Sequence, residues 1–422
     1  MIKLKTKLYY LGSRAQKLIK IDLFYFAKGG IWLTLGNIFS SLGAFILAIV
    51  FANELSKEVY GNYKYILSLL SLLSLASLPG METAIAISVA KGYEGSFLPA
   101  VKSKIKWGLI GTVGALILGF YYFSKGNYLF AIPLFICSIF IPFFDSMGLY
   151  DAFLKGKKRF YDSSKYQTIT QITSTLVLIL AVFFTEKLYF IILAYFLPKT
   201  VLRLIFTKKT ANSVSNQSIE PGAISFGKHV SIIRIISSFA GNLNNVAMFQ
   251  LLGNKNLATY SFAVAPTEQA RGFIGIIDSL LLPKMAVKER WQLSLKLFGL
   301  KITPFILSIT IGIIIYISFA QKFYEIFFPN YIESVKYSQI YSASLLFTAI
   351  NTLFFSILKG FKLIKEMHVL NILDITMNIL GLPFIYFFGI YGMIFSVIFS
   401  KVTQMILMGY FIFYKKDFWL KS

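Results

Sequence analysis

The chain has 422 residues, 56% of them hydrophobic and 14% charged, with a formal net charge of +24. A water-soluble domain needs more polar surface than this, so a soluble enzyme is excluded. The positive charge falls between apolar runs of about twenty residues, which points to anionic lipid rather than to nucleic acid.

The first 25 residues, MIKLKTKLYYLGSRAQKLIKIDLFY, have no uninterrupted apolar core and no small-residue cleavage site. They read as a basic interfacial helix, not a secretory signal. Twelve spans follow, at 29–51, 60–81, 105–123, 128–152, 167–185, 188–207, 229–252, 257–283, 297–320, 335–358, 367–388 and 391–414. The second can run on to residue 90 with a kink at Pro79-Gly80. Pro266 interrupts the eighth in the same way, as a hinge or a simple kink. The polar stretch 208–222, KKTANSVSNQSIEPG, divides the chain almost equally and is expected to be poorly packed. The domain organisation is therefore a basic segment 1–28, a first lobe 29–207, a linker 208–222 and a second lobe 223–422. The fold class is an all-α polytopic membrane protein.

Basic residues set the orientation. With both termini in the cytoplasm, 32 Lys and Arg fall in cytoplasmic segments and 7 at the outer face. Arg234, Arg271 and Lys401 remain within spans. The halves also look duplicated. Leu154-Lys-Gly-Lys-Lys158 follows the fourth span and Leu358-Lys-Gly-Phe-Lys362 the tenth. Phe26-Ala-Lys28 and Phe226-Gly-Lys228 open the first and seventh. Gly61-Asn-Tyr63 and Ala258-Thr-Tyr260 open the second and eighth. Repeated bundles imply a cleft between lobes, where secondary transporters bind cargo near the midplane.

There is no GxxxxGK[ST], so the chain has no nucleotide-driven motor of its own. Cys137 is the single cysteine, which excludes an internal disulfide and a cysteine metal site. His229 and His368 lie near cytoplasmic ends and read as solvated or capping residues.

A charge at mid-bilayer costs about 2.5–3.5 kcal/mol on insertion scales, so each needs a partner or water. Glu268 and Arg271, at i and i+3 on the eighth span, share one helix face. Two readings fit: a self-neutralising buried pair, or a cavity cation held by a carboxylate to meet an anionic head group. Arg234 snorkels to the interface or lines the inner mouth of the cleft. Asn242, Asn244, Asn245 and Gln250 mark a wet face of the seventh span, or interhelical hydrogen bonding. Lys28 and Lys64 border the first two spans, at the interface or on the cleft. Asp145, Asp374 and Lys401 neutralise one another across helices, or the two acids titrate during transport. Asp278 sits near a cytoplasmic end, where solvent reaches it.

Three segments carry a resemblance: Tyr60-Gly-Asn-Tyr-Lys-Tyr-Ile-Leu-Ser-Leu-Leu with Leu78-Pro-Gly-Met-Glu-Thr-Ala-Ile-Ala; Phe327-Phe-Pro-Asn-Tyr-Ile-Glu-Ser-Val-Lys with Leu345-Leu-Phe-Thr-Ala-Ile-Asn-Thr-Leu; and Gly389-Ile-Tyr-Gly-Met. The whole chain resembles the polysaccharide biosynthesis membrane proteins, the Wzx-type oligosaccharide flippases of the multidrug/oligosaccharidyl-lipid/polysaccharide exporter superfamily. The related lipid II flippases usually carry two additional helices. The resemblance implies two pseudo-symmetric six-helix lobes around a V-shaped, cationic cavity lined by the first, second, seventh and eighth helices. It implies undecaprenyl-pyrophosphate-linked oligosaccharide as cargo, moved to the outer leaflet of the bacterial cytoplasmic membrane for O-antigen, lipopolysaccharide, capsule or exopolysaccharide synthesis. The implied partners are that lipid, the bilayer, and the polymerase and ligase of the pathway. No cofactor is expected beyond a proton or sodium gradient. Two rivals stand beside it: an ion-coupled multidrug exporter, and a membrane glycosyltransferase or polymerase. The second would need an outer-loop acid, from Glu54, Glu58, Glu186, Glu325 or Glu333.

Overall fold

The computed structural model describes residues 23–287, 295–360 and 363–413. All regular structure among them is helical. A bilayer leaves a spanning chain little else, because backbone groups must be paired within their own segment.

The first half holds α1 (Leu23–Glu54), α2 (Lys57–Ser74), α3 (Met81–Ala90), α4 (Phe97–Ser124), α5 (Tyr128–Phe144), α6 (Tyr150–Gly156), α7 (Phe160–Phe184) and α8 (Leu188–Ala211). The second holds α9 (Ala223–Leu252), α10 (Asn254–Val287), α11 (Leu295–Phe327), α12 (Ser334–Ser342), α13 (Ser344–Gly360), α14 (Ile364–Leu380) and α15 (Leu382–Phe413). Seven rods are long and apolar enough to cross a membrane, and the bent α2–α3 pair makes an eighth. The other four expected spans coincide with α1, α9, α10 and α14, which do not meet that criterion over the described residues. The fourth and tenth rods are both built from two helices, α5–α6 and α12–α13, so the element order repeats between halves.

Large apolar side chains cover the outside. Phe184, Phe387 and Ile139 are 85%, 74% and 66% exposed. Such a surface is unstable in water and favourable in lipid.

The second rod breaks where its sequence requires. A 3-10 turn, Leu75–Ser77, ends α2, and the chain bends by 46° before α3. Pro79 has no N–H to donate and disfavours helical backbone at Leu78, which takes φ 59° in the left-handed region. The break frees two carbonyls. Leu78 O accepts from the buried Lys104 Nζ at 3.3 Å, and Pro79 O from Arg234 Nη1 at 3.1 Å. At Pro266, by contrast, α10 runs through without interruption.

The linker is not poorly packed. It is strapped to the α3–α4 loop. Glu94 accepts from the Ser215 backbone at 2.9 Å and pairs with Lys157. Glu220 pairs with Lys91 at 2.6 Å and accepts from Ser88 Oγ. Backbone links run from Gly95 N to Ser218 O (3.1 Å) and from Glu220 N to Ser96 Oγ (2.9 Å). A β-carbon on Gly95 would sit 2.2 Å from the Gln217 carbonyl, so glycine is required. The hydrogen bonds from Lys91 and Ser88 hold the Glu220 carboxyl below the usual carboxylate range.

Candidate functional site

The lobes meet at both described ends, through different chemistry. At the end away from the linker the contact is aromatic and close. Tyr65 stacks on Phe249 at 3.8 Å, and its hydroxyl accepts from Gln250 Nε2 at 2.7 Å. Tyr60 lies 4.6 Å from Phe262. A β-carbon on Gly61 would fall 2.0 Å from the Asn254 carbonyl, so only glycine allows this approach. Asn53 Nδ2 donates to Phe327 O (3.2 Å) and Asn330 Nδ2 to Ala52 O (3.0 Å). The Phe327-Phe-Pro-Asn-Tyr and Tyr60-Gly-Asn-Tyr segments thus form the two sides of this seal. Ion pairs Lys57–Glu333 (2.9 Å) and Lys255–Glu58 (3.0 Å) rim it.

At the linker end the contact is polar. α9 lies so close to the α2–α3 break that a β-carbon on Gly80 would be 2.3 Å from Ser231 N. Gly80 N donates to Ser231 Oγ at 2.9 Å. Arg234 reaches across to Thr83 Oγ1 at 2.9 Å and Glu82 at 3.4 Å. Arg234 is therefore an inter-lobe latch in this conformation.

Two polar pockets lie within the lobes. In the second lobe, Arg271, Asn351, Asp374 and Lys401 line a pocket of about 230 Å3 between α10, α13, α14 and α15. Glu268 accepts from Arg271 Nη1 at 3.3 Å, and Tyr341 OH donates to its other oxygen at 2.9 Å. Asp374 pairs with Lys401 at 3.6 Å and accepts from Ser400 Oγ at 3.0 Å. The side-chain oxygen Oδ1 of Asn351 is buried without a hydrogen-bond donor. Each of the two cations in the lining has a carboxylate partner, Glu268 for Arg271 and Asp374 for Lys401, and Arg271 keeps 47% of its side chain exposed.

In the first lobe a cavity of about 660 Å3 lies among α1, α3, α6, α7 and α8. Glu82, Asp145 and Asp151 face Lys155, Lys199 and Arg203 there. Asp145 pairs with Arg203 at 3.8 Å, and Asp151 with Lys155 at 2.6 Å. Among the described residues no three His, Cys, Asp or Glu side chains gather closely enough to hold a metal ion.

Residues 26–289 match the sequence profile of the family described as Polysaccharide biosynthesis protein. The chain belongs to this family. No curated protein sequence matches it significantly. Among solved structures it is similar to the lipid II flippase MurJ in an inward closed conformation, with TM-score 0.71 and 12% identity over 90% of this chain and 87% of that one. It is also similar to an inward-facing multidrug resistance MATE transporter of the MOP superfamily, with TM-score 0.62 and 12% identity over 91% and 98% of the two chains. A third is a MOP superfamily transporter from Pyrococcus furiosus, with TM-score 0.53 and 13% identity over 91% and 95%. These likenesses establish the fold.

Against this family frame the sequence expectations divide. Glu268 does hold Arg271, as their spacing predicts. Arg271 lines a pocket whose described lining residues all belong to the second lobe. Asp374 and Lys401 pair as expected, but Asp145 lies in the other lobe with Arg203, because the fourth and eleventh rods belong to different bundles. The amides of α9 do not form one wet face. Asn244 donates to Asn378 within the second lobe at 2.7 Å, and Gln250 joins the far-end seal. Asn242 donates to Ser238 O within α9, and Asn245 is half-buried. Lys64 is half-buried on α2. His229 is bonded within α9, with Nδ1 2.8 Å from Ser225 O. The side chains of Lys28 and Asp278 lie outside the described residues. Sequence reasoning missed Glu82, Lys104, Lys199, Arg203 and Tyr341. The three basic ones sit near span ends, where a count of charges assigns them to cytoplasm.

Proposed function

We propose that this protein is a flippase that carries lipid-linked oligosaccharide from the cytoplasmic to the outer leaflet of a bacterial cytoplasmic membrane, for surface polysaccharide synthesis. The observation that carries the reading is the pocket that brings Arg271 and Lys401 together, each held by a carboxylate, with the Arg271 side chain 47% exposed. A pyrophosphate entering a bundle loses water, and a planar guanidinium replaces those contacts with charge-assisted, bidentate bonds. Glu268, fixed by Tyr341, aims the arginine without occupying both faces of its fork. The lipid tail remains in the bilayer, where it needs no help. No covalent bond forms or breaks, so no catalytic group is required.

Alternating access follows from the two seals. The linker end, taken as cytoplasmic from the basic residues, closes by a latch of polar contacts that water and an anionic head group can replace. The opposite end closes by burial of aromatic surface. Cargo admits itself by loosening the first, and a proton or sodium gradient resets the lobes. Asp145 and Asp374, each paired with a cation in its own lobe, are the coupling acids to test.

The deciding experiment is complementation of a flippase-null strain with Arg271→Ala, with membrane abundance measured alongside. Losing a charge-assisted hydrogen bond costs about 1.5–3 kcal/mol, or about ten- to a hundredfold in binding. Surface polysaccharide should fall accordingly at unchanged abundance, and Arg271→Lys should retain part of it. Full activity of Arg271→Ala would leave the self-neutralising pair as the account of these residues. A second reading, export of cationic drugs, calls for an excess of acids over bases, and the first-lobe cavity carries three of each. Efflux of ethidium by the wild type, abolished by Asp145→Asn, would select it.

A further inference from the structure

The first-lobe cavity is nearly three times the volume of the Arg271 pocket, about 660 Å3 against 230 Å3. Its volume falls within the range of about 300–1,000 Å3 typical of small-molecule sites. We propose that this cavity binds saccharide and holds the sugar portion of the cargo during translocation. The assignment rests on the flippase reading for the source of the sugar, and on the cavity's own lining for its chemistry.

The lining is balanced, three carboxylates against three cations, and extended by the amides of Gln167 and Gln171. A bare pyrophosphate would meet Glu82, Asp145 and Asp151. A drug cation would meet Lys155, Lys199 and Arg203. A neutral sugar meets neither repulsion. Each of its hydroxyls both donates and accepts, so it can donate to a carboxylate while accepting from an ammonium, a guanidinium or an amide. Dense mixed polarity with no net charge is what a polyhydroxylated ligand needs when it leaves water. The need is acute inside a bilayer, where an unpaired hydroxyl finds no solvent. The charges are also incompletely spent on one another. The Asp145 and Glu82 side chains are 36% and 54% exposed, although each has a basic neighbour.

The cavity is wired to the latch. Glu82 lines it and also pairs with Arg234 of the other lobe. Sugar hydroxyls that engage Glu82 compete with Arg234 and loosen the linker-end closure. The saccharide site therefore reports its own filling to the gate.

The test uses the purified full-length protein in detergent, with Gln167→Cys or Gln171→Cys as reporter. The native Cys137 is fully buried and silent. The probe is a panel of neutral oligosaccharides released by mild acid from bacterial lipid-linked pools, free of lipid and pyrophosphate. Reaction with a polar maleimide should slow about threefold at a saccharide concentration of twice the dissociation constant. Asp145→Asn should remove that protection, whereas Arg271→Ala should leave it intact. Inorganic pyrophosphate should give none. Unchanged labelling at both reporters across the panel, in protein of normal thermal stability, overturns the proposal. So does protection by pyrophosphate but not by sugar. Loss of the flippase reading would show instead in the complementation assay, which this binding measurement does not use.

Discussion

Lys104 shows what a single residue can reveal that its sequence position conceals. It sits among basic residues just before an apolar run, and a charge count places it in solvent. The fold turns α4 so that the residue is 1% exposed, with one bond of 3.3 Å from its ammonium to the carbonyl that the broken second rod leaves free. Burying an ammonium costs several kcal/mol after relaxation, whereas an unpaired carbonyl costs about 1–3 kcal/mol. Lys104→Met should therefore raise the thermal midpoint in detergent by a few degrees. A clear fall would mean that the nearby Glu82 and Asp145 charges stabilise the ammonium more than the hydrogen bond alone suggests. Glu268 and Arg271 were legible because their relation is local: two residues three apart on a helix share a face whatever the tertiary fold. Glu82, Lys104 and Arg203 were not, because each acquires its partner from a different helix.

At the scale of elements the same division holds. The break in the second rod was written in Pro79-Gly80, since proline disrupts helix geometry locally. The strap was not legible. Residues 208–222 are polar, and polarity alone suggests a solvated tether. Their partners, Ser88, Lys91, Glu94 and Ser96, lie over a hundred residues earlier in the chain. Docking should depend on pH in a defined direction. Glu220 is held below its ordinary value by Lys91 and then Ser88, so its contribution is full above the unfolded carboxylate pKa of about 4.3 and is lost as pH falls through the folded value. Amide hydrogen exchange at residues 215–220, corrected for the intrinsic rate, should show strong protection at neutral pH and little in acid. Glu220→Gln should loosen the same amides already at neutral pH. Protection that survives both changes would show that Glu94 and the backbone bonds suffice.

For the whole molecule, charge asymmetry suggests an orientation and repeated motifs suggest two lobes, but neither could show which surfaces the lobes press together. The orientation has its own check. Cysteine at Lys322 should react with an impermeant reagent in intact cells, and cysteine at Lys157 should not. The opposite pattern would invert the membrane placement. The closures are open to a sharper test. A β-carbon on Gly227 would lie 3.2 Å from that of Ala84 in the opposite lobe, with only the flexible end of Met81 in the way. A disulfide needs about 3.5–4.5 Å, which a small shift of α9 provides. Ala84→Cys with Gly227→Cys should therefore form a disulfide under mild oxidation, with no background from buried Cys137. If the linker end must open for cargo to enter, the oxidised protein loses flipping and a reductant restores it, while either single cysteine works normally. Raised salt should slow formation of the cross-link, because it screens the Arg234–Glu82 pair, which is about half exposed. The aromatic far end should be less sensitive, since salt screens only its rim pairs Lys57–Glu333 and Lys255–Glu58 while the closure rests mainly on buried apolar surface. A fully cross-linked protein that still flips would mean that cargo never passes this contact, and that the lobes open elsewhere.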